Sequence, residues 1–422
     1  MSMKIIDLFS GAGGLTEGFR NPNFDIICHV EKDLSASKTL QLRDAYHYLK
    51  DTGNLKLYTD FLYGKFNSDK LFEIIPKDIL NKTINTEIND YTINDIFKTI
   101  DHNLSKTDKI SGVIGGPPCQ AYSTIGRATN RKIKSSDVRI YLYRYYIEFL
   151  KKYIPDFFVF ENVKGLLSFK DIDNSYLFTK KNGKLIGKMY DEFKAIGYTL
   201  DYRVMNTKDY GVPQSRERII IFGTKNNNTD LINDFFAKLE QTKEDIVSVH
   251  TALEDLPTLH AGEEINRYKK KTNNYIEKHY RINNNLPLTQ NIARPHNKRD
   301  LNIYKLVVSS KENGHNLKYN ELPDYLKTHK SDDKFLDRFK ALSWDQPSHT
   351  VVAHIAKDGH HYIHPDNKQN RSITVREAAR LQGFPDDFYF ESSRTSAFTQ
   401  IGNAVPPIFS EKIAQVIAKI EV

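Results

Sequence analysis

Residues 4–19 read KIIDLFSGAGGLTEGF, and the backbone period changes inside them. Lys4 to Phe9 is a short, mostly apolar run of strand length. Gly11, Gly13 and Gly14 permit a tight turn, and Leu15 to Phe19 open a helix. DIICHVE (25–31) reads as a second buried strand, ending in Glu31. ISGVIGG (110–116) is another, entering a glycine turn. YIEFLKKYIPDFFVFENV (146–163) gives a helix, a break at Pro155 and a strand, and ERIIIFGT (217–224) is one more strand. Strands alternating with helices predict a parallel α/β sheet.

Two regions depart from the alternation. Residues 41–92 are rich in Asn, Asp and Lys and are expected to be an insertion after the second strand. Residues 226–370 begin with a polar run and are expected to form a smaller, irregular domain. A helical pattern returns at RSITVREAARLQGFPDDF (371–388), and the tail PIFSEKIAQVIAKI (407–420) is an amphipathic helix. The expected organisation is a first domain over 1–225, a second over 226–370, and a return to the first over 371–422.

The 422 residues are 39% hydrophobic, ordinary for a soluble globular protein. No run of about 18 apolar residues appears, and the first residues have no signal-peptide layout. With only two cysteines there is no disulfide framework, and a reducing cytoplasm is expected. The net charge is +8. Residues 265–299 carry nine basic residues and one acidic one, with Tyr268, Tyr275 and Tyr280 among them. That mixture suits a nucleic-acid backbone, and it suits a solvated surface loop equally well.

Cys119 lies in GGPPCQAYS (115–123). Pro117 and Pro118 each fix a backbone dihedral, so the loop is stiff and presents a thiol at the carboxyl end of the sheet, where α/β folds bind ligands. A thiolate is a strong nucleophile. Glu161 ends a predicted buried strand, and Arg216 and Arg218 start another; alternation would let the two arginines share a face. A structural salt bridge is the competing reading of Glu161, and a surface pair that of the arginines. Cys28 is read as inert packing. The first glycine turn followed by Glu31 resembles a dinucleotide site, but GAGG lacks the third glycine. A nucleoside without phosphates, such as S-adenosylmethionine, relaxes that need. Asp95 in NDIF (94–97) would then serve the adenine and Ile96 pack on its ring.

Six segments in this order resemble the DNA (cytosine-5)-methyltransferase family: DLFSGAGGLTEGF, GGPPCQAYS, ENV, QSRER, REAARLQGFPDDF and QIGNAVPP. The resemblance covers roughly residues 1–40, 94–225 and 371–422. It implies a Rossmann-like S-adenosylmethionine-dependent methyltransferase domain with a mixed, mostly parallel sheet, plus a target-recognition domain at 226–370. It implies Cys119 as nucleophile toward carbon 6 of a flipped cytosine, Glu161 at ring nitrogen 3, and Arg218 at the 2-carbonyl with Arg216 alongside. No metal is required. For the cofactor it points to Phe9, Ser10, Gly11, Ala12, Gly14 and Leu15, to Glu31 and Lys32, and to Pro117 and Leu142. Asn403 and Val405 would join them from the far end of the chain. Asp95 and Ile96 fall at the adenine position, with Asp60 as a rival. The segment after the nucleophile would close over DNA, with contacts from Gln120, Ser123, Arg127 and Arg131.

The implied product is S-adenosylhomocysteine and the implied partner is double-stranded DNA. A restriction endonuclease acting on the same site is a further expected partner, without a stable complex. A monomer with no membrane contact is expected. His354, His360, His361 and His364 fit no common zinc pattern and read as structural or DNA-contacting. A nucleotide-binding oxidoreductase would leave Cys119, Glu161 and the arginine pair unexplained, and an intact PPCQ with ENV argues against an inactive DNA-binding module. A tRNA cytosine-5 methyltransferase keeps the chemistry and changes the substrate; the long 226–370 region favours DNA.

Overall fold

A computed structural model describes residues 2–118, 121–122, 137–225, 227–283, 285–328 and 336–420. Among them, seven strands form the main sheet: β1 (Met3–Leu8), β2 (Phe24–Glu31), β3 (Thr83–Asn85), β4 (Ile110–Gly115), β5 (Phe157–Asn162), β8 (Tyr198–Asn206) and β10 (Glu217–Lys225). Their order is β3-β2-β1-β4-β5-β10-β8. The first five run parallel, and β10 is antiparallel to both β5 and β8, so the sheet is mixed and mostly parallel. A hairpin of β6 (Thr179–Lys181) and β7 (Lys184–Ile186) stands apart, as does a short parallel ladder of β9 (Gln214–Ser215) with β11 (Ser348–His349).

The strands read as near-continuous apolar runs because both sheet faces are covered. Along β5, Phe157 and Val159 enter one core while Phe158 and Phe160 enter the other; along β10, Ile220 and Phe222 oppose Ile219 and Ile221 in the same way. Helices Leu142–Tyr153 and Lys188–Ala195 supply side chains to one core. The other takes them from the C-terminal helix Pro407–Ile417 and from helix Thr229–Glu240, whose Phe235 stacks on Phe222 at 4.0 Å.

The short helix α1 (Gly14–Gly18) crosses the C-terminal helix with almost no side chain between them. A Cβ on Gly18 would lie 2.2 Å from the carbonyl carbon of Ser410, and one on Gly14 2.2 Å from the Val405 oxygen. The Ser410 hydroxyl donates to the Leu15 carbonyl. The predicted tail helix therefore packs beside the first turn.

Both irregular regions differ from their expected bounds. Residues 41–51 continue the helix Leu34–Asp51, and Thr83–Asn85 is the edge strand of the main sheet, paired to β2. Only helices Leu55–Leu62, Ser68–Ile74 and Lys77–Leu80 are extra, and their core reaches Leu286 and Tyr389. A three-residue strand is too short for alternation to reveal. Helix Thr229–Glu240 belongs to the sheet's covering layer, and residues 249–288 contribute to the same core as the C-terminal helices. The core that stands apart draws on residues 303–341 and Ile363.

Replacing Gly18 with alanine is expected to cost about 3 kcal/mol of stability through overpacking of backbone on backbone. Urea unfolding of the variant checks this; a loss within about 0.5 kcal/mol would show that the crossing can yield.

Candidate functional site

The chain runs outward from β1 to β2 and β3, then returns to the other side of β1 as β4. A crevice opens at the carboxyl ends where a sheet's order reverses in this way. Leu8 and Gly115 are paired there, and a Cβ on Gly115 would lie 2.2 Å from the Leu8 oxygen. Phe9 leaves β1 with φ 55°, an uncommon conformation for a bulky residue that recurs at ligand sites. Ser10 anchors the turn: its hydroxyl donates to the Asp7 carbonyl at 3.0 Å and its amide to the Val30 carbonyl at 3.3 Å. Glu31 closes it, accepting from the amides of Gly11 at 2.8 Å and Asp33 at 2.7 Å. Burial raises the Glu31 pKa, and these amide donors hold it partly down. Among the described residues beyond its chain neighbours, no atom lies within 4 Å of a Cβ placed on Gly11, so the turn leaves an open cradle beside a carboxylate. That fits a ribose-bearing ligand. Ala12 and Leu15 are buried beneath it, Val405 packs on Gly14, Asn403 is exposed at the end of helix Arg394–Asn403, and Leu142 opens its helix half-buried.

The acidic residue beside this turn is Glu87, just beyond β3. It pairs with Lys32 at 2.8 Å, while Asn85 donates to the Glu31 and Lys32 carbonyls. Asp95 instead lies on the exposed side of helix Ile93–His102, paired with Lys98 at 2.8 Å, and Ile96 is buried in the core. Asp60 pairs with Lys65. Ile88, next to Glu87, is buried in the same core as Ile96, and among the described residues neither Asp95 nor Asp60 pairs with a residue of the turn.

The second half of the site gathers around Glu161. Its Oε1 takes the Arg218 Nε at 2.8 Å, and both side chains are largely buried. A Cβ on Gly116 would stand 2.8 Å from its Oε2. The buried Asn162, overlooked in the sequence although it sits within ENV, donates from Nδ2 to the Pro117 carbonyl at 3.1 Å. The loop that leads to Cys119 is thus fixed against the strand that carries Glu161. Arg218 and Glu217 line a cleft of about 410 Å³ with Lys164, Asn206, Ser215 and Thr350. Cys119, Gln120, Ser123, Arg127 and Arg131 lie outside the described residues.

Among the described residues, the guanidinium hydrogen bonds of Arg216 lead away from this cluster. Arg216 is buried, and its guanidinium donates to the carbonyls of Val351 at 2.7 Å and Gly402 at 3.2 Å. One uninterrupted strand would put Arg216 and Arg218 on one face, but the break between β9 and β10 falls at Arg216 and separates them.

Most basic side chains of the segment 265–299 are exposed, but its tyrosines are more internal than expected. The hydroxyls of Tyr268, Tyr275 and Tyr280 donate to Asp386, to the Gly211 carbonyl and to the Arg380 carbonyl. Of the clustered histidines, His360 bonds Tyr304 at 2.7 Å, His364 is buried beside Glu377, His361 is half-buried and His354 is exposed. No metal-ligating cluster occurs among the described residues. Cys28 is fully buried, and burial pushes its thiol pKa up.

The model of C-5 cytosine-specific DNA methylases matches residues 3–72 and 69–419. The chain belongs to that family. This methylase is 38% identical to the Type II methyltransferase M.Bpa9945I of Bacillus paralicheniformis, across 98% of each chain. It is 29% identical to the Type II methyltransferase M.DdeI of Desulfomicrobium norvegicum, over 99% of this chain and 88% of that one. Its fold is similar to that of the Schizosaccharomyces pombe Dnmt2 methyltransferase, with a TM-score of 0.52 at 14% identity and 98% of each chain covered. The methylase is a DNA cytosine-5 methyltransferase, a class that draws its methyl group from S-adenosylmethionine in general. No helix among its described residues is long and apolar enough to cross a membrane.

Burial holds four histidines of this methylase neutral, lowering His364 and His349 to about 3 and His279 and His296 to about 4. His29, though buried, is raised because Asp44 and Asp7 sit beside it. The unfolded chain takes up the four protons below about pH 6.5, so stability falls as pH drops toward 4, by on the order of 1 kcal/mol per ring at about pH 5.5. His29 offsets part of that loss. Urea unfolding at about pH 7.5 and 5.5 checks the sign, and a flat profile would mean the four rings are not held neutral.

Proposed function

We propose that this methylase transfers a methyl group from S-adenosylmethionine to carbon 5 of a cytosine flipped out of a specific duplex sequence, through a covalent Cys119 adduct. The observation that carries the reading is the Glu161–Arg218 pair, set against the loop that Asn162 fastens at Pro117. The base must leave the stack, because the ring atoms that react are shielded inside a duplex.

Carbon 5 of cytosine is a poor nucleophile. The Cys119 thiolate adds to carbon 6, and the electron pair of the 5,6 double bond moves to carbon 5. Glu161 holds a proton at ring nitrogen 3 as that nitrogen gains charge, and Arg218 steadies both the carboxylate and the 2-carbonyl. S-adenosylmethionine, when bound, supplies the methyl group as an electrophile on its sulfonium and leaves as S-adenosylhomocysteine. Loss of the carbon 5 proton then expels the Cys119 thiolate and restores the double bond. Glu31 would hold the ribose hydroxyls, Glu87 the adenine edge, and the turn from Phe9 to Leu15 the methionine end, with Lys32, Pro117, Leu142, Asn403 and Val405 along the rim.

The Type II methyltransferases that this chain resembles support a restriction–modification role, in which a separate endonuclease cuts the same sequence when it is unmethylated. Base-resolution methylation mapping of plasmid DNA from cells making the protein would reveal the target.

Cys119→Ala is expected to abolish methyl transfer while S-adenosylhomocysteine still binds in calorimetry; normal turnover would remove Cys119 as nucleophile. DNA with 5-fluorocytosine at the target should trap an adduct stable to denaturant, because the fluorine that replaces the carbon 5 proton cannot leave without its bonding electrons. Glu161→Gln should lower kcat by about a hundredfold or more, as loss of a proton-holding group does. A variant within about twofold of wild type would sink that role.

A further inference from the structure

Arg216, paired in the sequence with a residue of the base pocket, is held by an arrangement of a different kind. Its amide donates to Asn206 Oδ1 at 2.9 Å, and its carbonyl accepts from the Thr207 amide at 3.0 Å. Its guanidinium joins two distant segments, Val351 and Gly402, through their carbonyls. Each segment belongs to one half of the site. Val351 follows Thr350, which lines the cleft beside Arg218 and donates from its hydroxyl to the Ser215 carbonyl at 2.7 Å. Gly402 precedes Asn403 and Val405, whose backbone packs on the cofactor turn at Gly14.

Gln214 and Gln382 complete the junction. Gln214 Oε1 accepts from the Val351 amide at 2.8 Å, and its Nε2 donates to Gln382 Oε1 at 2.6 Å. Gln382 Nε2 donates to the Ala404 carbonyl at 2.5 Å. All three side chains are fully buried. Gly402 also presses on the Val352–Ala353 backbone, where a Cβ would lie 2.2 Å from the Ala353 nitrogen. The wall of the cleft beside Arg218 and the rim of the first glycine turn therefore share one buried frame.

We propose that Arg216 is a positioning residue, which sets the Thr350–Ala353 wall against the Gly402–Val405 rim and touches neither base nor cofactor. This rests on the assignment of the two half-sites given above. The two guanidinium nitrogens sit in a rigid planar fork that fixes both carbonyls, a geometry that a lysine ammonium on its flexible stem does not reproduce. Arg216→Lys thus keeps the charge and loosens the hold on the two segments.

Steady-state kinetics of Arg216→Lys beside Arg218→Lys separates the roles. Arg216→Lys should raise KM for DNA and for S-adenosylmethionine together, each by about tenfold, with kcat within about threefold of wild type. Arg218→Lys should lower kcat by about a hundredfold and leave KM for S-adenosylmethionine unchanged. The proposal is overturned if Arg216→Lys loses kcat as Arg218→Lys does with both KM values intact, which would place Arg216 on the base. It is equally overturned if Arg216→Lys matches wild type. Should Arg216→Lys fail to fold, Gln382→Met carries the test: the paired rise in KM supports the frame and unchanged KM values dismiss it. An active Cys119→Ala protein would instead sink the assignment of the site itself.

Discussion

Main chain against main chain, where Gly14 and Gly18 meet Val405 and Ser410, is the contact on which the remaining geometry depends. It leaves no room for side chains and fixes the separation of the two helices. Through it the turn from Phe9 to Leu15 rests on residues nearly the whole chain away. That turn is consequently supported from both ends of the protein, and its surroundings are incomplete until the last helix has docked. Contacts of such sequence separation form late, because loop closure must be met before they contribute.

The motif REAARLQGFPDDF holds that return in place. Arg371 pairs with Glu377 through two bonds of 2.7 Å, Arg380 with Asp255 and Asp386, and Arg376 donates to carbonyls at Thr289, Pro385 and Phe388. None of these arginines is exposed. Burying a guanidinium is tolerable only when its donors are matched, so each one specifies where several loops must lie. Burial works against the Glu377 charge, yet Arg371 holds its pKa down to about 2. This part of the resemblance to the family records architecture rather than chemistry.

Much of this was legible in the sequence. The strand–turn–helix of residues 4–19, the run ending in Glu161 and the tail helix each carry a strong period, and each forms the expected element. What escaped did so for local reasons. Strand β3 is three residues long, so neither the edge strand nor Glu87 just beyond it gave a signal. Arg216 and Arg218 share a motif, and only the interruption between two ladders shows that one is buried among carbonyls while the other meets Glu161. The tyrosines of 268–280 looked available because charge surrounds them in sequence, yet their hydroxyls find acceptors inside the fold.

The β9–β11 ladder carries a consequence for diversity. Main-chain atoms of residues 348–351 supply most of the bonds to the β9 segment: the Ser348 amide on the Pro213 carbonyl, and the Val351 amide and carbonyl on the Gln214 and Arg216 side chains, with the Thr350 hydroxyl on the Ser215 carbonyl beside them. Such a socket constrains few of the side chains beyond it. The small core that includes Ile303 and Ile363 can therefore change in sequence with little effect on the mount.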